Sequence, residues 1–387
     1  MKLGRFASLL ALALPAALVS PAVAGATPKS SDHHSWAVLG HVYVNDNSAG
    51  TNTIAAFDRH ADGALTTTPG SPFPAGGSGT GAGIGSQGAL QQSADGKYLL
   101  AVDAGSDQIS VLRIGPDGDL RLVRDGLVSS GGSQPVSIGV HGGLVYVANA
   151  GNDRSNYTGF TLNGGGHLRP LDGSTVALPE GSEPGDVLFN GTGTSLVGVR
   201  VGTSLIDSFA VGRDGRLTEA PGSPFAAQGP GPFGSEFRPT DPSQLFVSNA
   251  HGGAEAGSVS AFSVAGDGTL SSIGESPFAD HQTAPCWVEI THDGRYLFTT
   301  NTASDTISRY AIEADGSLEL LGSTALKTPN AGPFDQRLAP DGATLWVVDA
   351  TSKAIGAFSV HGGSLSELAS SPTPLPASSA PFGIVVT

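Results

Sequence analysis

The stretch that decides the fold is Pro285-Cys286-Trp287-Val288-Glu289-Ile290-Thr291-His292-Asp293-Gly294-Arg295-Tyr296-Leu297-Phe298-Thr299-Thr300-Asn301. A proline opens a short apolar run, and a turn containing Asp293-Gly294 leads into a second apolar run that ends at Asn301. Asp-Gly pairs tolerate the positive φ angles of a tight hairpin turn. The stretch therefore predicts two antiparallel strands, the first opened by proline and the second ending in an amide side chain.

Copies of the second strand recur along the whole chain. Each is a short apolar run that ends in Asn or Asp, at Asn45, Asp103, Asn149, Asn249, Asn301 and Asp349. In the fourth copy, Leu196 to Arg200, arginine stands where the others have Asn or Asp. Runs opened by proline recur as well, at Pro135, Pro184, Pro232, Pro285 and Pro333.

A further turn, Asp-Gly-x-Leu or Gly-Gly-x-Leu, recurs with its leucines 47 to 55 residues apart, from Leu65 to Leu365. The runs between the turns are about 4–6 residues long and alternate or are continuously apolar, which is typical of strands and not of helices. Four short strands in each of seven units predict an all-β fold, a seven-bladed β-propeller with four-stranded antiparallel blades. A linear solenoid is the competing architecture, but it would need polar capping repeats at both ends.

The two ends of the chain favour a closed ring. The last run, Pro381-Phe382-Gly383-Ile384-Val385-Val386, is an opening strand without a unit of its own, and the first unit, from Trp36 to Asn45, lacks one. We expect the C-terminal strand to pair with the N-terminal blade, because closure removes the exposed strand edges that invite aggregation.

Composition and the N-terminus predict an exported acidic protein. The formal net charge is −15 with 19 Lys plus Arg among 387 residues, which argues against nucleic acid as a partner. Lys2 and Arg5 precede an apolar run and an Ala-x-Ala cleavage signal at Ala22 to Ala24, with Ala24 to Ala26 as a second option. We therefore expect a signal peptide at 1–26, a flexible lead-in at 27–35 and the propeller at 36–387. The mature chain would be secreted or periplasmic, without a membrane span, and monomeric.

The repeats resemble the YVTN type found in lactonase-type seven-bladed propellers, which include 6-phosphogluconolactonases and carboxymuconate-lactonising enzymes. The repeated Gly-Ser-Pro-Phe at 70–73 and 222–225 adds to this resemblance. It implies lactonase or cycloisomerase chemistry, with Arg and His at the openings of inner strands. The openings here have neither, since they read Pro232-Phe233, Pro285-Cys286-Trp287, Pro333-Phe334 and Pro381-Phe382.

The ends of the second strands should meet on one face around the central channel. Six of them, Asn45, Asp103, Asn149, Asn249, Asn301 and Asp349, are candidate binding residues, although Asn and Asp at such places commonly bond their own turn. Arg200 breaks the pattern and is a candidate catalytic residue that could polarise a lactone carbonyl, with Glu183 positioning water or moving a proton. The alternative for Arg200 is an ion pair with Glu183 or Asp186. Further candidate binding residues are Glu236, His251, His281, Trp287 and Phe334, and the aromatic ones could equally pack between blades.

Two functions fit these features. One is a lactonase-like hydrolase or cycloisomerase that acts on a small cyclic ester without a metal or other cofactor. The other is a non-catalytic extracellular propeller that binds a ligand, a polysaccharide or a protein. A divalent cation held by channel carboxylates and amides remains a third possibility.

Overall fold

The computed structural model describes residues 37–387, so the expected signal peptide and lead-in lie outside the described residues. The described chain is all β, and its strands form seven separate antiparallel sheets. No helix within residues 37–387 has the length and apolar character needed to cross a bilayer. The predicted seven-bladed propeller is confirmed.

Each blade contains an inner strand at the channel, a second strand, a third strand and an outer strand, which is split into two segments in five blades. In this order, blade 1 consists of Ile384–Val386, Val38–Asn45, Gly50–His60, Leu65–Thr67 and Phe73–Gly79. Blade 2 consists of Leu90–Gln92, Tyr98–Asp103, Gln108–Ile114 and Leu120–Ser129. Blade 3 consists of Pro135–His141, Leu144–Asn149, Asn156–Leu162, Leu168–Pro170 and Val176–Ala177.

The remaining blades follow the same plan. Blade 4 consists of Pro184–Phe189, Ser195–Arg200, Leu205–Val211, Leu217–Glu219 and Phe225–Ala226. Blade 5 consists of Pro232–Arg238, Asp241–Asn249, Ser258–Val264, Leu270–Ser272 and Phe278–Ala279. Blade 6 consists of Pro285–Ile290, Tyr296–Asn301, Thr306–Ile312 and Leu318–Ala325. Blade 7 consists of Pro333–Leu338, Thr344–Asp349, Ala354–His361, Ser364–Glu367 and Thr373–Pro374.

The C-terminal strand closes the ring as the sequence predicts. Ile384–Val386 pairs antiparallel with Val38–Asn45, with Val385 opposite Tyr43. The same strand contacts the inner strands of blade 2 and blade 7. The inner strands therefore form an unbroken circle around the channel.

The Asp-Gly-x-Leu turns join third to outer strands and pack against the preceding blade. Gly118 has a φ of 75°, and a Cβ there would lie 2.4 Å from the His41 ring of blade 1. Tyr43 of the same blade donates a hydrogen bond from its hydroxyl to the Gly118 carbonyl, at 3.2 Å. A Cβ at Gly363 would likewise clash with the Tyr296 ring of blade 6. Glycine at this turn thus serves both the backbone conformation and the contact between blades.

The Ser-Pro pairs that precede the last outer-strand segment, two of them within Gly-Ser-Pro-Phe, also have a structural role. In blades 1, 4, 5 and 7 the serine hydroxyl accepts a hydrogen bond from a backbone N–H of the third strand, and these serines are Ser71, Ser223, Ser276 and Ser371. The hydroxyl replaces a backbone partner where the outer strand turns away. These segments therefore support the fold.

Deleting residues 382–387 should strongly destabilise the protein. Phe382, Ile384, Val385 and Val386 are all buried, and burying such side chains stabilises a fold by about 1.5–3 kcal/mol each. Blade 1 would also present an open strand edge. We expect a lower melting temperature by circular dichroism and aggregation on heating. The same melting temperature as the full chain would contradict ring closure, and Leu321→Ala on an exposed outer strand provides the control.

Candidate functional site

The ends of the second strands lie inside the blades and not in the open channel. The seven residues at this position are at most 8% exposed. Asn45 accepts a hydrogen bond from the side chain of Asn52, and Asn149 donates one to Asn156, both at 2.9 Å. Asp103 accepts from Ser110 in the same way. These side chains connect the second strand to the third strand, and this contact is part of the fold.

Arg200 also connects the second strand to the third strand, but it does so through an ion pair. Its guanidinium binds Asp207 through Nε, at 2.6 Å, and through Nη2, at 2.5 Å. Tyr157 of blade 3 donates a hydrogen bond from its hydroxyl to the same carboxylate, at 3.0 Å. The partner of Arg200 is thus Asp207 rather than Glu183 or Asp186, and Arg200 is absent from the lining of the cavity that contains Glu183.

A glycine-rich segment, residues 83–88, crosses the channel at the end where the inner strands begin. We call it the plug. Its Gln87 reaches from blade 2 to three blades across the ring: the backbone N–H donates to Gly185, Nε2 donates to Ser235, and Oε1 accepts from Val288 N–H. The Trp287 indole donates to the carbonyl of Ser86, at 2.6 Å. The sequence does not predict this path, because nothing in a glycine-rich segment specifies its direction.

Four aromatic side chains that follow the inner-strand prolines meet under the plug. Trp287 stacks on Phe334 with ring centroids 4.8 Å apart, and Phe334 contacts Phe382 at 4.7 Å. Phe233 packs edge-on against Trp287 at 5.2 Å. Trp287 is only 1% exposed. The rings of this aromatic cluster therefore pack mainly on one another, at the opening of the channel.

A cavity of about 370 Å³ remains open beside the plug, and we call it the mouth cavity. Its lining includes Glu183, His251, Phe233, Gln134 and Asn152. Gln134 and Glu183 each precede an inner-strand proline in adjacent blades, with φ of 51° and 45°. None of the residues that line this cavity is Lys or Arg. The mouth cavity thus combines a carboxyl group, an imidazole and two amides without a cation.

A second polar group lies deeper, on the inner strands themselves. Arg337 of blade 7 forms an ion pair with Glu289 of blade 6, at 3.1 Å. Glu289 also accepts the backbone N–H of Leu338, at 2.9 Å. Burial, followed by the charge of Glu289, raises the pKa of Glu236 in blade 5 to about 8. Of these three residues, the sequence singled out only Glu236.

Two buried aspartates lie next to this group. Burial raises the pKa of Asp186 to about 7, although Ser137 and Ser235 donate hydrogen bonds to its carboxylate. Burial also raises the pKa of Asp335 to about 6. The sequence offered a signal for each of these charged residues. A charged side chain inside a strand that is expected to be buried is costly unless it is paired, and it therefore indicates a special role.

The other candidates are dispersed. His281 is exposed in a loop before blade 6. Asp349 is buried, with its pKa raised by burial to about 8, and the residue seven positions later on the third strand is Gly356, which lies near its carboxylate and offers no side-chain partner. Within residues 37–387, no group of three or more His, Cys, Asp or Glu is arranged to hold a metal ion.

The closed ring of seven four-stranded blades, with polar groups at one channel mouth, defines a seven-bladed β-propeller. Residues 236–381 match a family model described as lactonase, 7-bladed beta-propeller. The resemblance stated from the repeats is therefore confirmed. A comparison with curated proteins finds no match.

Solved structures show the same fold. A candidate 6-phosphogluconolactonase from Bacteroides uniformis has a TM-score of 0.71 at 18% identity, covering 89% of this chain and 98% of that chain. A counterpart from Bacteroides fragilis has a TM-score of 0.67 at 19% identity, covering 93% and 99%. A periplasmic gluconolactonase of Pseudomonas aeruginosa has a TM-score of 0.71 at 16% identity, covering 89% and 98%. At these identities the likeness establishes the fold alone.

Replacing Arg200 with alanine should destabilise the protein, because Asp207 would remain buried without its counter-ion. Breaking a buried ion pair in this way costs about 3–5 kcal/mol. The double variant Arg200→Asn/Asp207→Ser should recover most of the loss, since blade 6 uses the equivalent pair Asn301 and Ser308. Urea unfolding measures both effects. If the single variant unfolds like the wild type, Arg200 has no structural role.

Stability should fall as the pH rises from about 5 to 9. Burial raises the pKa values of Asp46 and Asp186 to about 7 and those of Glu236 and Asp349 to about 8. Acids with raised native pKa values bind more protons when folded than when unfolded, so their contribution is present at low pH and is lost through pH 7–8. Thermal melts across this range measure it, and Asp349→Asn should flatten the curve. A melting temperature that rises with pH would contradict these environments.

Proposed function

We propose that the protein is a secreted, lactonase-like hydrolase that opens a small uncharged cyclic ester in the mouth cavity, without a metal. The observation that carries the proposal is that Glu183 and His251 line one cavity beside the plugged channel. The basic and apolar N-terminus supports export to the cell exterior or the periplasm. The acidic composition supports a small-molecule partner over nucleic acid, and we propose a monomer.

The chemistry needs a base, an acid and donors for an oxyanion. The Glu183 carboxylate takes a proton from water as the water oxygen attacks the ester carbonyl carbon. The side-chain amides of Gln134 and Asn152 can donate to the oxyanion that forms. The carbon–oxygen bond of the ring then breaks, the ring oxygen takes a proton from the His251 imidazolium, and a hydroxy acid leaves.

The lining of the cavity also defines the substrate class. A phosphate or carboxylate on the substrate would need Arg or Lys, which bind such groups through charge-assisted hydrogen bonds. The mouth cavity has neither, and Arg200 is held by Asp207. An uncharged lactone fits this lining better than a phosphorylated one, and Phe233 offers it an apolar face.

Hydrolysis of a lactone panel tests the proposal. Acid release should occur with uncharged γ- and δ-lactones and be weak with 6-phosphogluconolactone. Glu183→Gln and His251→Gln should each lower kcat/KM by about 10²-fold or more, the usual contribution of a general acid or base. Glu180→Gln, the same change at an exposed residue three positions away, should have no effect.

The second candidate is a propeller that binds its ligand without turning it over. It is favoured by the plug and the aromatic cluster, which occupy the opening positions where the family resemblance implies Arg and His. Lack of acid release with every lactone, or equal rates for wild type, Glu183→Gln and His251→Gln, would reject the hydrolase. Saturable lactone binding under those conditions would support the second candidate.

A further inference from the structure

The channel is open to solvent at the end opposite the plug. Val187, Ser235 and Val288 are buried at the middle of their inner strands, and Leu90 is buried at the start of its own. One residue further from the plug, solvent reaches Gln91, Leu188, Glu236 and Arg337, and the Arg337 side chain is 28% exposed. Solvent therefore reaches the inner strands from this end of the channel. We call the open part the vestibule, lined by Gln91, Leu188, Glu236, Glu289 and Arg337.

These five side chains occupy one equivalent position in five blades. Each lies opposite the residue three positions before the end of the second strand, in the pairs Gln91 with Leu100, Leu188 with Val197, Glu236 with Phe246, Glu289 with Phe298 and Arg337 with Trp346. Because the backbone repeats, they lie at the same depth in the channel. Their chemistry differs from blade to blade, as expected of a site and not of a repeated packing position.

Several polar groups in the vestibule are still available for a ligand. Glu289 is fully engaged, with one oxygen on Arg337 and the other on Leu338 N–H. That contact fixes the Arg337 guanidinium while using one of its N–H groups, and no hydrogen bond from its other N–H groups is found within residues 37–387. The side chains of Gln91 and Glu236 make no hydrogen bond to the described chain. The vestibule therefore presents the fixed guanidinium of Arg337 and the unbonded polar groups of Gln91 and Glu236 to solvent.

We propose that the vestibule binds a small neutral polyhydroxyl compound of the sugar or sugar-alcohol class. Hydroxyl groups both donate and accept, so one such ligand can satisfy Arg337, Gln91 and Glu236 together. An anion would face the Glu289 carboxylate, and a cation would face the Arg337 guanidinium. Leu188 gives the C–H face of such a ligand an apolar contact. The proposal is independent of Glu183 and His251, which lie at the other end of the channel.

Titration of the full chain with D-glucose and sorbitol tests the vestibule, with gluconate as the matched anion and glucosamine as the matched cation. Calorimetry or saturation-transfer NMR at pH 7 should show saturable binding of the neutral compounds alone. Glu236→Leu and Gln91→Leu should each weaken it by about 2–10-fold, the value of one hydrogen bond. Leucine fits this position because blade 4 already has Leu188 there.

The control is Glu319→Leu, the same change on the exposed outer strand of blade 6, which should bind like the wild type. Thermal melts of each variant show that the ring is intact. The proposal is overturned if neither neutral compound binds, if gluconate or glucosamine binds in their place, or if a folded Glu236→Leu/Gln91→Leu double variant binds neutral compounds as tightly as the wild type.

Discussion

The pairing of Ile384–Val386 with Val38–Asn45 is the constraint on which the rest of the structure depends. A blade buries both faces of its sheet only if it has a neighbour on each side, and the first and last blades gain theirs when the two chain ends share one sheet. The contact joins residues more than 300 positions apart, as in the hydrogen bond from Thr387 N–H to the His41 carbonyl. Once it forms, every inner strand has two neighbours, and the channel has a fixed depth and width.

Much of this fold could be predicted from the sequence because its signals are local and repeated. Asp117-Gly118 specifies a turn through backbone conformation alone, and the same turn in other blades confirms the register. The inner strands begin at their prolines as expected, at Pro135, Pro184 and Pro232 among others. Closure could also be predicted, because the final run and the incomplete first unit are complementary.

The candidate site was harder to predict because its groups depend on contacts between distant residues. Arg200 breaks the Asn/Asp pattern, but its compensation, Asp207, lies seven positions later on the third strand. The pairs Asn45 with Asn52 and Asn149 with Asn156 have the same spacing. A search for co-occurring polar residues at that spacing would have identified Arg200 as part of a pair. The path of the plug has no such signal, since glycine permits many directions and specifies none.

Repetition also explains how this propeller can place different chemistry at the two ends of one channel. The backbone of each inner strand is fixed by its neighbours, so a residue at a given position keeps its depth whatever its side chain. At the vestibule position this allows Leu188, Glu236, Glu289 and Arg337 in four successive blades. At the mouth the same freedom lets phenylalanine follow the prolines of blades 1, 5 and 7, where the family resemblance implies cations. The plug and these rings lie between the two ends of the channel. The residues that would bind a ligand at one end are therefore different from those at the other.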